Sequence, residues 1–423
     1  MIKILLKKPA RFVKNFLLNT RATYYLKKQK TPSKEKTIKV GFIVFEPETW
    51  GKLDAVYTEL KSRENIICKL IIVPSYDQEL KLTTHYGKEL QFFRNKTSDA
   101  LLAYTDENGW LDISKSGYDY IFYQDPYNDH MPKNLKSSTV VKFAKICYIP
   151  YGFSGSNIFN EGNTNPDFFR NVYFEFVDTE EIQSILNERY KRNVESGYQH
   201  FLNLGYPTFE YYLPKTKQTA SKGIIKNVLW TPRWSYDPKI GGSHFLEYKE
   251  EFLRFSGEHT DLNFVIRPHP MMLKNFVNNG YITEAEKDEY LDKLKQNKVY
   301  ISLQNDIKDD FEWADILITD YSSIIPMFFL MNKPIIYCPS QIELNKEFQY
   351  ILRGMYFATS WNEIEKNVKK LVNGNDEKKS CESNVLLNSE RNISVQQNEL
   401  WMRLSRIIKK LNIEYVKFGF VLI

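Results

Sequence analysis

Arg233, Arg267, His269 and Asp320 each stand within three residues of the end of a short apolar run, as residues do just past a buried strand. Thr231-Pro232-Arg233-Trp234 comes after Asn227-Val228-Leu229-Trp230, and a glycine loop, Gly241-Gly242-Ser243-His244-Phe245, then leads into a helical pattern over Leu246–Phe255. Arg267-Pro268-His269-Pro270 follows Phe264-Val265-Ile266. Asp320-Tyr321-Ser322-Ser323 follows Ile316-Leu317-Ile318-Thr319 and precedes an apolar helical pattern with Pro326 in its first turn. Arginine guanidinium groups can fork onto phosphate oxygens. Serines at a helix start can cap it or meet an anion, and the unpaired N–H groups there favour negative charge. If the three strands are parallel, their carboxyl ends gather Arg233, Ser243, His244, Arg267, His269, Asp320, Ser322 and Ser323 on one sheet edge. Proline turns and a capped helix account for each cluster singly. Three at strand ends suit a pyrophosphate, whose departing phosphate needs countercharge.

The elements that must position these residues alternate between strand and helix patterns. Residues 38–45, 66–73, 118–123 and 145–150 read as strands, with helical patterns near 52–64, 75–93 and 132–141. Residues 178–198 read as one long helix capped by Asp178 or Thr179, with Glu180 and Glu181 in its first turn. The stretch 202–223 holds Gly205, Pro207, Pro214 and Gly223 among polar residues and is the best domain boundary. A second series follows, with strands at 226–231, 262–267, 298–302, 315–319 and 334–338. The expected organisation is a basic arm over 1–36, a first α/β domain over 37–210, a second over 222–385, and a terminal helix and tail over 386–423 that crosses back or faces a membrane.

A chain of 423 residues with 42% hydrophobic and 15% aromatic content is large enough for two cores. No run of eighteen apolar residues occurs, and no signal peptide is evident. Cys68, Cys147, Cys338 and Cys381 are scattered, which suits reduced thiols in a cytoplasmic protein, and no ligand cluster suggests a metal. The net charge is +6, yet residues 1–36 carry eleven Lys or Arg against Glu35, so the rest of the chain is at −4. In that arm Leu5, Leu6, Phe12, Val13, Phe16, Leu17 and Leu18 interleave with Lys7, Lys8, Arg11 and Lys14. This pattern favours an anionic membrane surface over nucleic acid, for which no fold signature is present. Leu400, Leu404, Ile407, Ile408 and Leu411 share a second amphipathic face, and an amphipathic helix usually packs on its own protein.

Thr231-Pro232-Arg233, Gly242-Ser243-His244-Phe245, Arg267-Pro268-His269-Pro270, Leu317-Ile318-Thr319-Asp320-Tyr321-Ser322-Ser323 and Lys333-Pro334 together resemble the CDP-glycerol glycerophosphotransferase family, which includes teichoic acid glycerol-phosphate polymerases and primases. Leu204-Gly205-Tyr206-Pro207 matches its glycine-tyrosine-proline segment, and the resemblance spans about residues 200–345. It implies a GT-B fold of two facing Rossmann-like domains, the second holding the nucleotide donor, with no cation or other cofactor. It further implies transfer of glycerol phosphate, or a similar alditol phosphate, from CDP-glycerol or a related CDP-alditol to a hydroxyl of a membrane-linked glycan, with release of CMP. The setting would be the cytoplasmic face of the cell membrane, in building teichoic acid or capsule polysaccharide.

Carried onto this chain, the donor-binding set is Thr231, Arg233, Gly242, Ser243, His244, Arg267, Thr319, Ser322 and Ser323. His269 would stabilise or protonate the leaving phosphate, and Asp320 would orient His269 or a donor hydroxyl. The family's first domain offers a Trp-His-Gly-Thr-like turn whose histidine is the proposed base. The corresponding place here reads Cys147-Tyr148-Ile149-Pro150-Tyr151-Gly152-Phe153, without histidine. Asp125 and His130, just after the strand Tyr120–Tyr123, are the better base candidates, since an ordinary tyrosine with pKa about 10 is a poor one. A glycosyltransferase acting on a nucleotide sugar, and a silent scaffold binding anionic glycan, remain the alternatives.

Overall fold

The computed structural model describes residues 7–29, 37–75, 82–203, 206, 208–212, 226–303 and 307–378. The chain divides into two units: unit 1 draws on Met1–Tyr151 and Asn160–Pro207, and unit 2 on Gly152–Phe159 and Thr208–Ile393. The terminal helix and apolar tail expected beyond residue 386, and Leu204, Gly205 and Pro207, lie outside the described residues.

Unit 1 carries a seven-stranded sheet. Its strands are β1 (Ile38–Val44), β2 (Ile66–Ile72), β3 (Leu101–Leu102), β6 (Tyr120–Tyr123), β7 (Lys145–Tyr148), β8 (Val172–Glu175) and β9 (His200–Phe201); β4 (Tyr104–Thr105) and β5 (Gly109–Trp110) form a separate hairpin. The order is β3-β2-β1-β6-β7-β8-β9, and every pairing is parallel. Alternate side chains enter two cores: Ile43, Ile121, Tyr123 and Ile146 lie in one, and Phe42, Val44, Phe122 and Cys147 in the other. A parallel sheet covered on both faces favours apolar residues at most positions, which is why these strands read as nearly continuous apolar runs. At Gly41 a Cβ would stand 2.5 Å from Ile121 Cδ1, so β1 admits only glycine there without repacking.

Unit 2 carries a six-stranded sheet of β10 (Asn227–Thr231), β11 (Asn263–Ile266), β12 (Tyr300–Ile301), β13 (Ile316–Thr319), β14 (Ile335–Tyr337) and β15 (Tyr356–Phe357). Its order is β12-β11-β10-β13-β14-β15, again parallel throughout. Both sheets are therefore the parallel, Rossmann-like kind expected. In each, the chain winds outward one way and then returns to the other side of the first strand, leaving a switch point between β1 and β6 and another between β10 and β13. Ligands of open α/β sheets bind in the crevice at such points.

Several local expectations change. The single helix over 178–198 is two, Glu180–Arg189 and Lys191–Glu195, interrupted where Tyr190 adopts φ −115° and ψ 24°. Thr179, not Asp178, caps the first by accepting from the Ile182 N–H. Gly152–Phe159, within the stretch expected for the first domain, groups with unit 2. Ser156 bridges to Leu344 there, and Asn345 donates from its backbone N–H to Gly155 O at 3.1 Å and from its side chain to Ser154 O.

The basic arm forms a helix, Lys7–Lys28, and its second half is part of the core of unit 1. Ala22 and Leu26 are buried, Thr23 donates to Asn193 Oδ1 at 3.0 Å, and Gln29 donates to the carbonyls of Val141 and Ala144. Val13, Phe16 and Leu17 are exposed beside Lys14. Among the described residues no helix is long and apolar enough to cross a membrane.

Candidate active site

The unit 2 cluster is built on the two strands flanking its switch point. Thr231 and Thr319 face each other in register at the ends of β10 and β13, with their hydroxyls 2.8 Å apart. One residue on, Asp320 is almost fully buried and collects four donors. The Arg233 N–H lies 2.9 Å from its Oδ2, the Ser243 hydroxyl 3.4 Å, the His244 N–H 3.4 Å from Oδ1, and the His244 ring nitrogen Nδ1 2.6 Å from Oδ1. A carboxylate this deep must be satisfied by charge or hydrogen bonds, and here it has both. It is therefore His244, not His269, that Asp320 orients.

His244 stands at the N-terminus of helix Phe245–Glu258, with its ring stacked on Tyr248 at 5.2 Å between centroids. Burial opposes its protonation, but the hydrogen bond and charge of Asp320, with Glu247 behind, outweigh burial and raise its pKa. Ser243 holds the same helix start by accepting from the Phe245 N–H at 3.2 Å.

The arginines are engaged differently from a phosphate fork. Arg233 is buried, donates from Nε and Nη2 to Ile240 O at 2.9 and 2.6 Å, and donates from Nη1 to Tyr321 O at 2.7 Å. It thereby ties the glycine loop to the Asp320 turn. Gly241 has φ +107°, and a Cβ there would lie 2.8 Å from Arg233 Nε, so both the backbone and the packing demand glycine. Gly242 is also left-handed, at φ +45°. Arg267 pairs with the buried Asp310 at 2.8 Å and donates to Ser302 at 3.1 Å. Buried guanidinium groups without a ligand must find protein acceptors, and these two have.

His269 is exposed at the end of β11, and its Nδ1 accepts the Met271 N–H at 3.2 Å. Crowding by surrounding protein, then the charges of Arg233 and Arg267, push its pKa down to about 4. Near neutral pH the ring is uncharged and carries its proton on Nε2. It can donate a hydrogen bond to a phosphate oxygen but is a weak proton source. Ser322 and Ser323 do not cap the helix conventionally: Ile325–Leu330 has Ile324 at its N-cap, and Ser322 Oγ accepts from the Ile324 N–H at 3.4 Å. Ser323 lies against Gly152, where a Cβ would approach its Oγ to 3.3 Å. Pro326 does fall in the first turn. Lys333 has a structural task, donating to the carbonyls of Phe311, Glu312 and Ala314 at the end of helix Lys308–Trp313.

Unit 1 places a second polar cluster at its own switch point. Asp125, just past β6, is buried; its Oδ2 meets His130 Nδ1, and its Oδ1 accepts the Tyr127 N–H at 3.1 Å. The neighbouring Gln124 is fully buried and accepts the N–H groups of Phe45 and Glu46 at 2.7 and 2.9 Å, knitting the end of β1 to β6. Lys52, in helix Gly51–Lys61, is buried and donates to the Gln124 carbonyl. Burial, then Asp125 and Glu48, raise the pKa of Glu46, against the pull of His130 and Lys52. Tyr151 shares a hydroxyl–hydroxyl hydrogen bond of 3.1 Å with Tyr127. Crowding first, then Tyr127, Asp125 and Glu46, raise its pKa above that of an ordinary phenol. An Asp–His pair is a workable proton acceptor, because the carboxylate fixes the tautomer and leaves the lone pair of the neutral ring on Nε2.

Sequence reasoning singled out Asp125 and His130 and passed over their neighbours Glu46 and Lys52. The available signal was that both follow β1, Glu46 in the loop after it and Lys52 in the helix that comes next. Among the described residues no group of His, Cys, Asp or Glu could hold a metal ion.

A family model described as "CDP-Glycerol:Poly(glycerophosphate) glycerophosphotransferase" matches residues 171–408, more than half of the chain. A search of curated proteins finds no match. Among solved structures, UDP-GlcNAc 2-epimerase from Neisseria meningitidis bound to UDP-GlcNAc is similar at 13% identity and TM-score 0.49, over 83% of this chain and 100% of that one. The wall teichoic acid polymerase TagF is similar at 12% identity and TM-score 0.45, over 94% and 98%. A glycosyltransferase from Rickettsia africae is similar at 16% identity and TM-score 0.44, over 87% and 99%.

Proposed function

We propose that this chain, which belongs to the CDP-glycerol:poly(glycerophosphate) glycerophosphotransferase family, moves glycerol phosphate from CDP-glycerol to a hydroxyl of a membrane-linked surface glycan and releases CMP. Family membership makes it a transferase of the CDP-glycerol glycerophosphotransferase kind. The acceptor, the setting and the residue roles are our reading.

The acceptor oxygen forms a bond to the phosphorus that bears glycerol, the bridging P–O bond breaks, and CMP departs with the bonding pair. The hydroxyl proton passes to His130, held by Asp125. In unit 2, Ser322, Ser323 and the Nε2–H of His269 contact the pyrophosphate, while Arg233, whose guanidinium is held by backbone carbonyls, supplies positive potential and Arg267, balanced by Asp310, holds the end of β11. Thr231, Thr319, Gly242, Ser243, His244 and Asp320 shape the loop and turn that meet the donor. The observation that carries this reading is chemical contrast at the two switch points. The one in unit 2 is rich in cations and phosphate donors, and the one in unit 1 holds a carboxylate–imidazole pair.

The exposed Val13, Phe16 and Leu17 beside Lys14 support contact with an anionic membrane at the cytoplasmic face, where a lipid-linked acceptor would lie. Calorimetric titration tests the donor assignment. CDP-glycerol should bind, with clear weakening in Ser322→Ala/Ser323→Ala and His269→Ala. Binding of UDP-sugars with none of CDP-glycerol would favour a sugar transferase, and no binding of either a scaffold.

A further inference from the structure

Tyr151 is an open aromatic ring just past the carboxyl end of β7, and the donor and acceptor roles above give it no task. The residue is 41% exposed. Surface tyrosines are common, and exposure alone calls for no explanation. The neighbours of this one do. Lys52 Nζ lies over the ring, 5.5 Å from its centroid, and Lys52 is buried, so the open face of the phenol is the opposite one. The Tyr151 hydroxyl meets that of Tyr127 at 3.1 Å, with the ring centroids 6.2 Å apart. Tyr127 in turn stands 5.2 Å from the His130 ring, between centroids. One phenol therefore joins the open ring to the imidazole that takes the hydroxyl proton.

The loop that carries Tyr127 is firmly held. Asp125 Oδ1 accepts the Tyr127 N–H at 3.1 Å, and Asn128 accepts the Ser137 N–H at 2.8 Å and donates to Asp167 O at 2.9 Å. A fixed aromatic face loses little freedom when a ligand lands on it. A flat phenol with one wet face suits a ligand that is apolar on one side and polar at its rim. A pyranose ring is such a ligand: its C–H bonds pack on the aromatic face while its hydroxyls reach polar neighbours. A glycerol phosphate chain has no rigid apolar face, and its phosphates would crowd the Asp125 carboxylate.

We propose that Tyr151 binds the acceptor and sets its class: a pyranose packs on the open ring face and presents a hydroxyl to His130. Tyr127 is the positioning residue that holds the ring through the hydroxyl pair. The chain then adds glycerol phosphate to a sugar rather than to the end of a glycerol phosphate polymer. The inference rests on the reading of Asp125–His130 as the proton acceptor.

The experiment uses the full chain. Saturation-transfer NMR is run with the methyl β-pyranosides of glucose, galactose and N-acetylglucosamine, and with a glycerol phosphate trimer. The wild type should saturate the ring C–H protons of at least one pyranoside more strongly than any proton of the trimer. Tyr151→Ala and Tyr151→Leu should each lose at least about fivefold of that signal, whereas Tyr151→Phe, which keeps the ring, should retain most of it. Leucine fills the volume without a flat face and carries the test if alanine disturbs the fold. With a lipid-linked glycan acceptor, Tyr151→Leu should raise the acceptor KM at least about tenfold and leave the KM for CDP-glycerol unchanged. No pyranoside signal, a stronger signal from the trimer, or an undiminished signal in Tyr151→Leu overturns the proposal. Equal losses in Tyr151→Phe and Tyr151→Leu overturn it too. Absence of CMP release from the wild type refutes the proposed function, while the NMR contacts still decide the part played by Tyr151.

Discussion

Replacing Asp320 by asparagine should open the donor loop locally while leaving the sheet of unit 2 intact. The side chain keeps its size, but the charge goes and one oxygen becomes an NH2 group facing donors. Four donors now converge on those oxygens: the Arg233 and His244 N–H groups, the Ser243 hydroxyl and the His244 ring. Hydrogen bonds to a charged group contribute about 1.5–3 kcal/mol each, and a buried donor left unpaired costs about as much again. Rotation of the amide rescues some of these bonds, so a local loss of about 3 kcal/mol is expected, or roughly a hundredfold in opening equilibrium. Native-state hydrogen exchange reads this directly at the amides of Arg233 and His244, with Val265 of β11 as an internal control. Protection at both sites within about threefold of wild type would refute the reasoning, because about 3 kcal/mol corresponds to far more. The pH dependence has a definite sign. The folded-state pKa of His244 is raised, so its stabilisation is complete below the ordinary histidine value of about 6.5 and is lost as pH rises through the folded value. The wild-type minus variant difference in protection should be largest below about pH 6.5 and shrink above it. A difference that grows with pH contradicts the assignment.

Gly241→Ala meets a left-handed backbone and the Arg233 side chain together; a loss of about 1–3 kcal/mol by denaturant titration is expected, with weaker CDP-glycerol binding. Arg267→Ala strands the buried Asp310 and should cost about 3–5 kcal/mol, much of it recovered in Arg267→Met/Asp310→Leu, which removes both charges. Because the His269 pKa is pushed down to about 4, calorimetric affinity for CDP-glycerol should show no step between about pH 5 and 8 that His269→Gln abolishes. Phe16→Ser/Leu17→Ser should weaken sedimentation with anionic vesicles at least about tenfold while leaving the melting temperature unchanged, since both side chains are exposed. Deleting residues 1–30 would confuse that test, because Ala22 and Leu26 belong to the core.

The sequence announced the strands that are buried on both faces. Runs such as Ile38–Val44, broken only by the exposed Lys39, and Ile316–Thr319 are almost wholly apolar because a parallel sheet leaves most of their positions no wet side. β8 escaped notice because its VYFE run ends on Glu175, an acid buried so deeply that its pKa rises well above normal, with Asp178 adding to the effect. β3, β9 and β15 are two residues each, too short for any periodicity to register. In the site, residue types were legible and their pairings were not. Asp320 meets His244 across a sequence gap that no pattern spans, and Arg233 and Arg267 look like phosphate forks until their acceptors, Ile240, Tyr321 and Asp310, come into view. Lys52 was invisible for a simpler reason: a lysine in an amphipathic helix ordinarily faces water, and only the fold shows that this one does not.

The central claim is that glycerol phosphate leaves CDP-glycerol for a hydroxyl whose proton His130 receives. Purified protein, CDP-glycerol and a lipid-linked glycan acceptor in anionic vesicles supply the most direct measurement, with CMP followed over time. The account predicts CMP release that requires the acceptor and falls at least about a hundredfold in His130→Asn and in Asp125→Ala, while calorimetric CDP-glycerol binding is kept. CMP release undiminished in both variants, or UDP release from a nucleotide sugar with none from CDP-glycerol, would contradict it.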